Sequence, residues 1–271
     1  MTWAENRDSF TPAAAKEKGK EGGDGDQHTV IRRLRERGDG HFIERLDKGD
    51  ILCVGGVYDK VQNVVEHLGL PHTFIEREAF AKETAKLHPN SVMVFNCHDH
   101  QTARLTEDDI AKIQKFVKSG GYVFTSDWEL RNVIIRAFPG YVKVGATTGE
   151  HEFKITPGAG AQNFPLLRDV FPANPFEREQ FRWKIDNMSY GVVPISREKV
   201  AVLVASPELG RNYGSDAVAV YFRYGHGAVL HVLSHFEKQT DPKGDGFALQ
   251  QLFLNFVVEK QKWRANRKKK K

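Results

Sequence analysis

The sequence predicts a single α/β domain in which helices cover both faces of a mostly parallel sheet. Residues 91–136 give the clearest indication, because short apolar runs and a helical pattern alternate there. Ser91–Phe95 and Tyr122–Phe124 are too short for helices, and each follows a turn-forming dipeptide. Their β-branched and aromatic residues predict buried strands. We therefore expect two neighbouring parallel strands at the centre of the sheet.

A helix is predicted between these two strands. Thr106 followed by Asp109 is a capping-box pattern, and apolar residues at helical spacing come after it. Gly120 and Gly121 end the helix. Strand, helix and strand form a right-handed βαβ unit, and both strands then point the same way. Ligands bind at the carboxyl ends of such strands, so loops 96–101 and 126–129 should face one crevice.

The chain before this unit divides into several parts. Residues 1–27 lack apolar periodicity, so we expect them to be disordered, and residues 28–49 predict a charged helical lead-in. Asp50–Val54 is the first predicted strand. A helix is expected over Asp59–Leu68, and Pro71–Ile75 is the second predicted strand.

The chain after the unit is expected to complete the sheet. Residues 140–198 are rich in Gly and Pro and predict a loop-rich insertion with short strands. Three β-rich segments follow, and the last two predict a late β-hairpin. They are Val200–Ala205, Ala217–Phe222 and Ala228–Leu233. An amphipathic helix over residues 246–259 would close a domain that spans residues 50–259.

The basic character of the chain comes from its end. Residues 260–271 contain eight Lys and Arg and no acidic residue, which leaves 32 basic and 35 acidic residues elsewhere. We expect a basic tail that is an exposed solubilising end, with weak contact to nucleic acid or an anionic surface as the alternative and without sequence-specific recognition. No apolar run is long enough to span a membrane, and the chain begins without a signal-peptide pattern, so a cytoplasmic protein is expected. The oligomeric state stays open.

Two stretches carry a family resemblance. The strand and turn GGYVFTSDWEL lies where the class I glutamine amidotransferase-like superfamily has its nucleophile elbow, and YGHGAVLHVLSHFE is similar to the late hairpin of that superfamily. The ThuA-like branch looks nearest. The resemblance covers about residues 50–259, and it implies a flavodoxin-like three-layer sandwich with a mostly parallel central sheet and a late β-hairpin.

The same resemblance implies roles for three residues. Asp127 lies at the elbow, where a working amidotransferase has cysteine in G-x-C-x-G. His235 and Glu237 match the His-x-Glu of the family, in which the histidine is the base and the glutamate orients it. A carboxylate is a poor acyl acceptor, so ordinary glutamine hydrolysis is not expected. Whether any catalysis is retained stays open.

Two enzyme alternatives use the neighbouring loop. Cys97 follows the preceding strand and could act as a displaced nucleophile, although a strand-end cysteine is more often an inert buried thiol. His98, Asp99 and His100 could instead hold zinc, the one cofactor that this loop suggests, and the protein would then be a metal-dependent hydrolase. Adjacent residues rarely all point at one ion, so a plain polar loop is the competing explanation.

The leading hypothesis is a binding site without standard amidotransferase chemistry. Trp128 and Glu129 place an aromatic face beside a carboxylate, which suits a small polar ligand such as a carbohydrate. Asn96 and His98 would line the same crevice. A helix cap at Asp127 and a core position for Trp128 explain those residues equally well. A protein partner in the crevice, or an interaction protein that acts through its charged termini, are the remaining alternatives.

Overall fold

The computed structural model describes residues 24–83, 87–99, 101–236 and 245–268. The strands are β1 (Ile51–Val54), β2 (Thr73–Ile75), β3 (Val92–Phe95), β4 (Tyr122–Ser126), β5 (Val142–Thr147), β6 (His151–Lys154), β7 (Thr156–Pro157), β8 (Arg182–Ile185), β9 (Tyr190–Pro194), β10 (Val200–Ala205), β11 (Ala217–Tyr224) and β12 (Gly227–Val232). The α-helices are α1 (Asp24–Glu36), α2 (Gly40–Ile43), α3 (Val61–His67), α4 (Phe80–Glu83), α5 (Glu107–Ser119), α6 (Ile135–Ala137), α7 (Pro175–Gln180), α8 (Pro207–Tyr213) and α9 (Asp245–Lys268).

Five parallel strands form the centre of the main sheet, in the order β2-β1-β3-β4-β12. This is the strand order of a flavodoxin-like sheet, with β12 in the place of the fifth strand. β11 and β10 continue the sheet in antiparallel pairing, and β12 is joined to β11 by a tight hairpin. The predicted fold class, with its mostly parallel sheet and late hairpin, is therefore confirmed.

β1 and β3 are apolar along their whole length, and β4 and β12 along most of theirs, because both faces of these strands are covered. Every residue of β1, β3, β4 and β12 is buried. A strand with one solvated face would alternate between apolar and polar residues, whereas a strand between two helical layers does not. The continuous apolar runs in the sequence are thus the direct result of the three-layer arrangement.

The capping box predicted for α5 is present. The Thr106 hydroxyl accepts from the Asp109 backbone N–H, and the Asp109 carboxylate accepts from the Thr106 backbone N–H at 2.9 Å. At the other end, Gly120 has φ +125°, a conformation that favours glycine. The capping box therefore sets the beginning of α5 and Gly120 sets its end. β4 begins two residues later, at Tyr122.

Both ends of the described chain are more helical than the sequence indicates. α1 begins at Asp24, inside the stretch predicted to be disordered, while residues 1–23 lie outside the described part. α9 continues through Lys268, so most of the predicted basic tail is helix. The helix continues because the Lys260 ammonium is buried and donates to the backbone oxygens of Pro89 and Gly120. Residues 269–271 lie outside the described part.

Residues 140–198, predicted to be rich in loops with short strands, contain five strands. β5 and β9 pair with each other and join the main sheet through β11, while β6 and β8 form a separate two-stranded sheet. The turn that connects β8 to β9 passes over the carboxyl end of β4. Among the described helices, none is long and apolar enough to cross a lipid bilayer.

Candidate functional site

The turn after β4 places Asp127 in a strained backbone conformation. Asp127 has φ +44°, in the left-handed region that is uncommon for residues other than glycine. Its backbone N–H donates to the Val232 carbonyl, which ties the turn to the end of β12. A π-helix over Leu130–Ile134 follows. A strand, a strained turn and a helix are the geometry of an elbow, and strain of this kind clusters at functional sites.

The Asp127 carboxyl is completely buried and only partly hydrogen-bonded. The Ser189 hydroxyl donates to Oδ2 at 2.5 Å, and the Tyr190 backbone N–H is a second donor beside the carboxylate, whereas Oδ1 has no partner with full hydrogen-bond geometry among the described residues. Burial raises the pKa of Asp127 to about 6, although nearby His235 and the Ser189 hydrogen bond act in the opposite direction. Around neutral pH the group is therefore ionised in an environment that disfavours its charge.

His235 lies between two aspartates. Its Nδ1 is 2.9 Å from Asp186 Oδ2, and its Nε2 is 3.4 Å from Asp127 Oδ2. Burial lowers the pKa of His235, but the Asp186 hydrogen bond and the charges of Asp127, Asp59 and Asp186 outweigh it, so the pKa is raised above its ordinary value. Nε2 is buried and has no hydrogen-bond partner among the described residues.

A third carboxylate, that of Asp59, lies next to Asp127 and His235 and bonds to their chain neighbours. It follows β1 and is completely buried, and it accepts hydrogen bonds from the Ser126 hydroxyl at 2.8 Å and from the Lys60 and Phe236 backbone N–H groups. Burial raises the pKa of Asp59 to about 6, and His235 partly opposes that shift. Because Asp59 contacts residues beside both Asp127 and His235, it fixes their relative positions.

The turn between β8 and β9, residues 186–189, covers the elbow, and we refer to it as the covering turn. Asp186 contacts His235, the Met188 carbonyl accepts from the Trp128 indole N–H at 2.8 Å, and Ser189 donates to Asp127. β8 is held in place by Trp183, whose indole N–H donates to the Leu233 carbonyl at 2.8 Å. The insertion thus supplies half of the polar contacts at the site.

Aromatic and apolar side chains surround the crevice, and we call them the aromatic rim. Trp128 lies edge-to-face with Tyr58 at a centroid distance of 5.2 Å, and Tyr190 lies 6.4 Å from Trp128 on the other side. Tyr58 is 45% exposed and Met188 is 49% exposed, although both are large. An exposed aromatic group of this kind beside buried carboxylates is typical of a ligand site.

Several residues predicted to line the crevice have structural partners instead. The side-chain amide of Asn96 binds the β1 carbonyl of Val54 and its oxygen accepts from the Val61 backbone N–H, so Asn96 holds the start of α3. Glu129 forms a buried ion pair with Arg77, with 3.1 Å between Nη2 and Oε2, and also accepts from Asn132. Neither side chain has a free polar group directed into the crevice.

Cys97 is also buried, and it lies close to the elbow. Burial raises the pKa of its thiol well above the ordinary value, and the charges of Asp127 and Glu129 raise it further. The Trp128 backbone N–H bonds to the sulfur. A thiol of this kind stays protonated near neutral pH, and the protonated form is a poor nucleophile. Burial therefore favours the inert-thiol explanation for Cys97, and its role as a nucleophile stays a prediction.

The side chains of the loop predicted to bind a metal form hydrogen bonds within the loop itself. The Asp99 carboxylate accepts from the backbone N–H groups of Gln101 and Thr102 and from the Thr102 hydroxyl, while His98 is buried with Nδ1 beside the Asp99 carbonyl. His100 and Glu237 lie outside the described residues. Within the described ranges, no group of three His, Cys, Asp or Glu side chains is placed to hold a metal ion.

Sequence reasoning missed Asp59, Asp186 and Ser189. Asp59 could have been found, because it follows the first predicted strand and therefore lies at the same edge of the sheet as Asp127. Asp186 and Ser189 carry no local signal. They reach the site only because β8 docks against residues 233–234, a contact across about 50 positions of the chain that no local pattern encodes.

Comparison with known proteins gives similarity of fold alone. No family model matches the sequence, and no curated protein matches it. A cytoplasmic protein of Salmonella typhimurium is similar in structure over 77% of this chain and 97% of its own, with 12% identity and a TM-score of 0.48. A Thermoplasma acidophilum protein described as part of a GMP synthase is similar over 80% of this chain and 97% of its own, with 10% identity and a TM-score of 0.49.

A third similarity is to part of a larger enzyme. An exo-β-1,4-mannosidase from Opitutaceae bacterium strain TAV5 matches 79% of this chain with 9% identity and a TM-score of 0.43, and the match covers 35% of the mannosidase. Identities and TM-scores in these ranges are too low to support an inference about activity or family. We therefore infer function from the side chains of the crevice alone.

Proposed function

We propose that this protein is an altered amidotransferase-like domain, nearest the ThuA-like branch, which binds a small hydroxylated ligand such as a sugar or polyol above Asp127 and His235. One observation carries the proposal. Asp127 Oδ1 and His235 Nε2 are both buried without full hydrogen-bond geometry among the described residues, and Nε2 meets Asp127 only as an ion pair, 3.4 Å from Oδ2. Each such atom costs about 1–3 kcal/mol unless something satisfies it.

A hydroxyl group matches this pair of atoms. It donates one hydrogen bond and accepts others, so one ligand hydroxyl can donate to Asp127 Oδ1 and accept from His235 Nε2–H. The Asp186 contact at Nδ1 and the raised pKa of His235 favour the protonated ring, which presents Nε2–H. A ligand with several hydroxyl groups would add contacts to the partly exposed Asp186 carboxylate.

The aromatic rim fits the same ligand class. Sugars bind aromatic faces through their C–H groups and bind carboxylates through their hydroxyl groups. Trp128 and Tyr190 lie beside the covering turn, directly above the elbow. Because Asp127 is completely buried, the ligand must displace part of the covering turn, and the single hydroxyl of Ser189 is the contact that it would replace.

Titration of tryptophan fluorescence with a panel of neutral monosaccharides and polyols tests this function. At least one member should bind saturably, and Asp127→Asn should weaken its binding by roughly tenfold or more, because the charged acceptor is lost. Asp108→Asn is the matched control, since it removes an exposed carboxylate on α5. Binding that is equal in all three proteins, or no binding by any member of the panel, would rule out the proposed ligand class.

The chain of contacts Asp186–His235–Asp127 favours a second candidate, hydrolysis of a glycoside. Asp127 Oδ1 would attack the anomeric carbon while His235 protonates the departing oxygen, which gives a glycosyl ester and a free alcohol. His235 would then take a proton from water as that water attacks the same carbon, releasing the sugar and restoring the carboxylate. Asp186 orients the imidazole.

Release of p-nitrophenolate from p-nitrophenyl glycosides separates the two candidates. An enzyme should turn over at least one glycoside, and Asp127→Asn should slow that reaction by about 10² or more. A protein that binds the free sugar but releases p-nitrophenolate no faster than buffer is a binding protein. Asp108→Asn again serves as the control.

A further inference from the structure

The opposite end of the molecule carries a cluster of cations, which we call the basic face. Its members come from three elements, the end of α5, the β11–β12 hairpin and the last turns of α9. They are Lys118, Arg223, Arg264 and Arg267, and the buried Lys260 lies beneath them. This edge holds the amino ends of the parallel strands, so it is separate from the crevice.

Backbone contacts bring these three elements together. The His226 backbone N–H donates to the Lys118 carbonyl at 3.1 Å, and Arg223 donates to the His226 carbonyl at 2.8 Å. The Lys260 ammonium donates to the Gly120 carbonyl at 2.7 Å, two residues after Lys118 in the chain. The three elements that carry the basic face therefore meet at one end of the molecule.

Few acidic groups neutralise this surface. Asp50 pairs with Arg264 at 2.8 Å, and Glu259 pairs with Lys262, a lysine outside the cluster. Within the described ranges, no ion pair is present for Lys118, Arg223 or Arg267. The Arg267 guanidinium lies over the Trp263 ring, 4.9 Å from its centroid, so it is held in place on the surface.

The neighbouring arginine charges also act on the Lys260 ammonium. Burial is the largest of the causes that lower the pKa of Lys260 to about 7, and the charges of Arg264, Arg267 and Arg223 contribute to the same shift, against a weaker opposite effect of Asp50. The three arginines that contribute to this shift therefore lie close to Lys260, which concentrates positive charge at this end of the molecule. A bound polyanion would relieve this repulsion.

We propose that the basic face binds the phosphodiester backbone of nucleic acid without sequence preference. Regularly spaced phosphates match a row of fixed cations, and neutralising them releases counterions. An anionic membrane is the less favoured partner, because peripheral binding usually adds an inserted apolar group. Among the described residues, the large exposed hydrophobic side chains lie outside α5, the hairpin and α9; they are Val57, Tyr58, Phe74, Phe176, Met188 and Ile195.

Fluorescence anisotropy with labelled oligothymidylate and with a duplex of equal length tests the proposal on the full chain. Affinity should fall steeply between about 50 and 200 mM salt. Lys118→Glu/Arg267→Glu should weaken binding at least tenfold and reduce the salt slope by roughly 1–2. Arg104→Glu/Arg211→Glu makes the same charge change at exposed positions on other elements and should leave binding unchanged. Comparing the two probes shows which strand state is preferred.

The double variant separates the basic face from the lysines that end the chain, because it leaves them intact. Equal binding by wild type and Lys118→Glu/Arg267→Glu would overturn the proposal, and so would binding to phosphatidylserine vesicles without binding to either oligonucleotide. Both changed side chains are exposed, and an unchanged melting temperature would show that the variant is folded. Sugar binding in the crevice should be the same in both proteins, so this test is independent of the proposed function.

Discussion

Asp127 combines three features that are each costly. Its backbone is left-handed, its carboxyl is completely buried, and one carboxyl oxygen has no described partner. Each feature costs on the order of 1–3 kcal/mol, and such features persist only where the surroundings hold them in place. Here Ser189 and the Val232 carbonyl do so. A packing role alone would not need an ionisable group at this position.

The pKa of Asp127 gives a prediction for the dependence of stability on pH. Because folding raises this pKa from 3.8 to about 6, the folded state binds the proton more tightly. Its contribution to stability is therefore present below about pH 4 and is lost as the pH rises through about 6. Asp127→Asn, which cannot ionise, should gain stability relative to wild type over that interval, by up to about 3 kcal/mol.

Urea denaturation of both proteins at a series of pH values measures this difference. The observed gain should be smaller than this upper bound, because Asp127→Asn also removes the negative charge that faces the His235 imidazole. Asp108→Asn, at an exposed position, should follow the wild-type profile. A constant difference between wild type and Asp127→Asn from pH 4 to pH 7 would contradict the raised pKa.

Elements that are specified locally were predictable, whereas elements that depend on distant contacts were not. α5 follows from its capping box and its Gly-Gly end, which lie within about 15 positions of each other. The covering turn has no comparable signature, because its partners Trp128 and His235 lie about 50 to 60 positions away along the chain. The extension of α9 to Lys268 likewise depends on carbonyls supplied by other loops.

The junction of α5 with α9 gives a prediction at this scale. A Cβ atom at Gly120 would lie 2.4 Å from the Trp263 ring, and Gly120 also has a positive φ. Gly69 has a positive φ of +67° with nothing near its Cβ position. Gly69→Ala should thus show conformational strain alone, whereas Gly120→Ala adds a clash worth about 1–3 kcal/mol. Thermal unfolding of the two variants measures this difference, and equal losses would show that α9 does not pack on Gly120.

At the scale of the whole molecule, the sheet separates two regions of different chemistry. The carboxyl ends of β1, β4 and β12 lead to Asp59, Asp127 and His235, and the amino ends of the strands lie beside the basic face. The sequence predicted the first region because strand direction decides which loops meet. It predicted the basic charge but assigned it to a tail, since the burial of Lys260 cannot be read from a run of lysines.

The proposed sugar site requires a ligand hydroxyl that satisfies both Asp127 Oδ1 and His235 Nε2. A crystal structure of the protein soaked with a monosaccharide that binds in the fluorescence titration would reveal this contact. We expect a ligand oxygen about 2.6–3.0 Å from both atoms, with Ser189 displaced from Asp127. A sugar bound elsewhere, with the Ser189–Asp127 hydrogen bond intact, would contradict the proposed site.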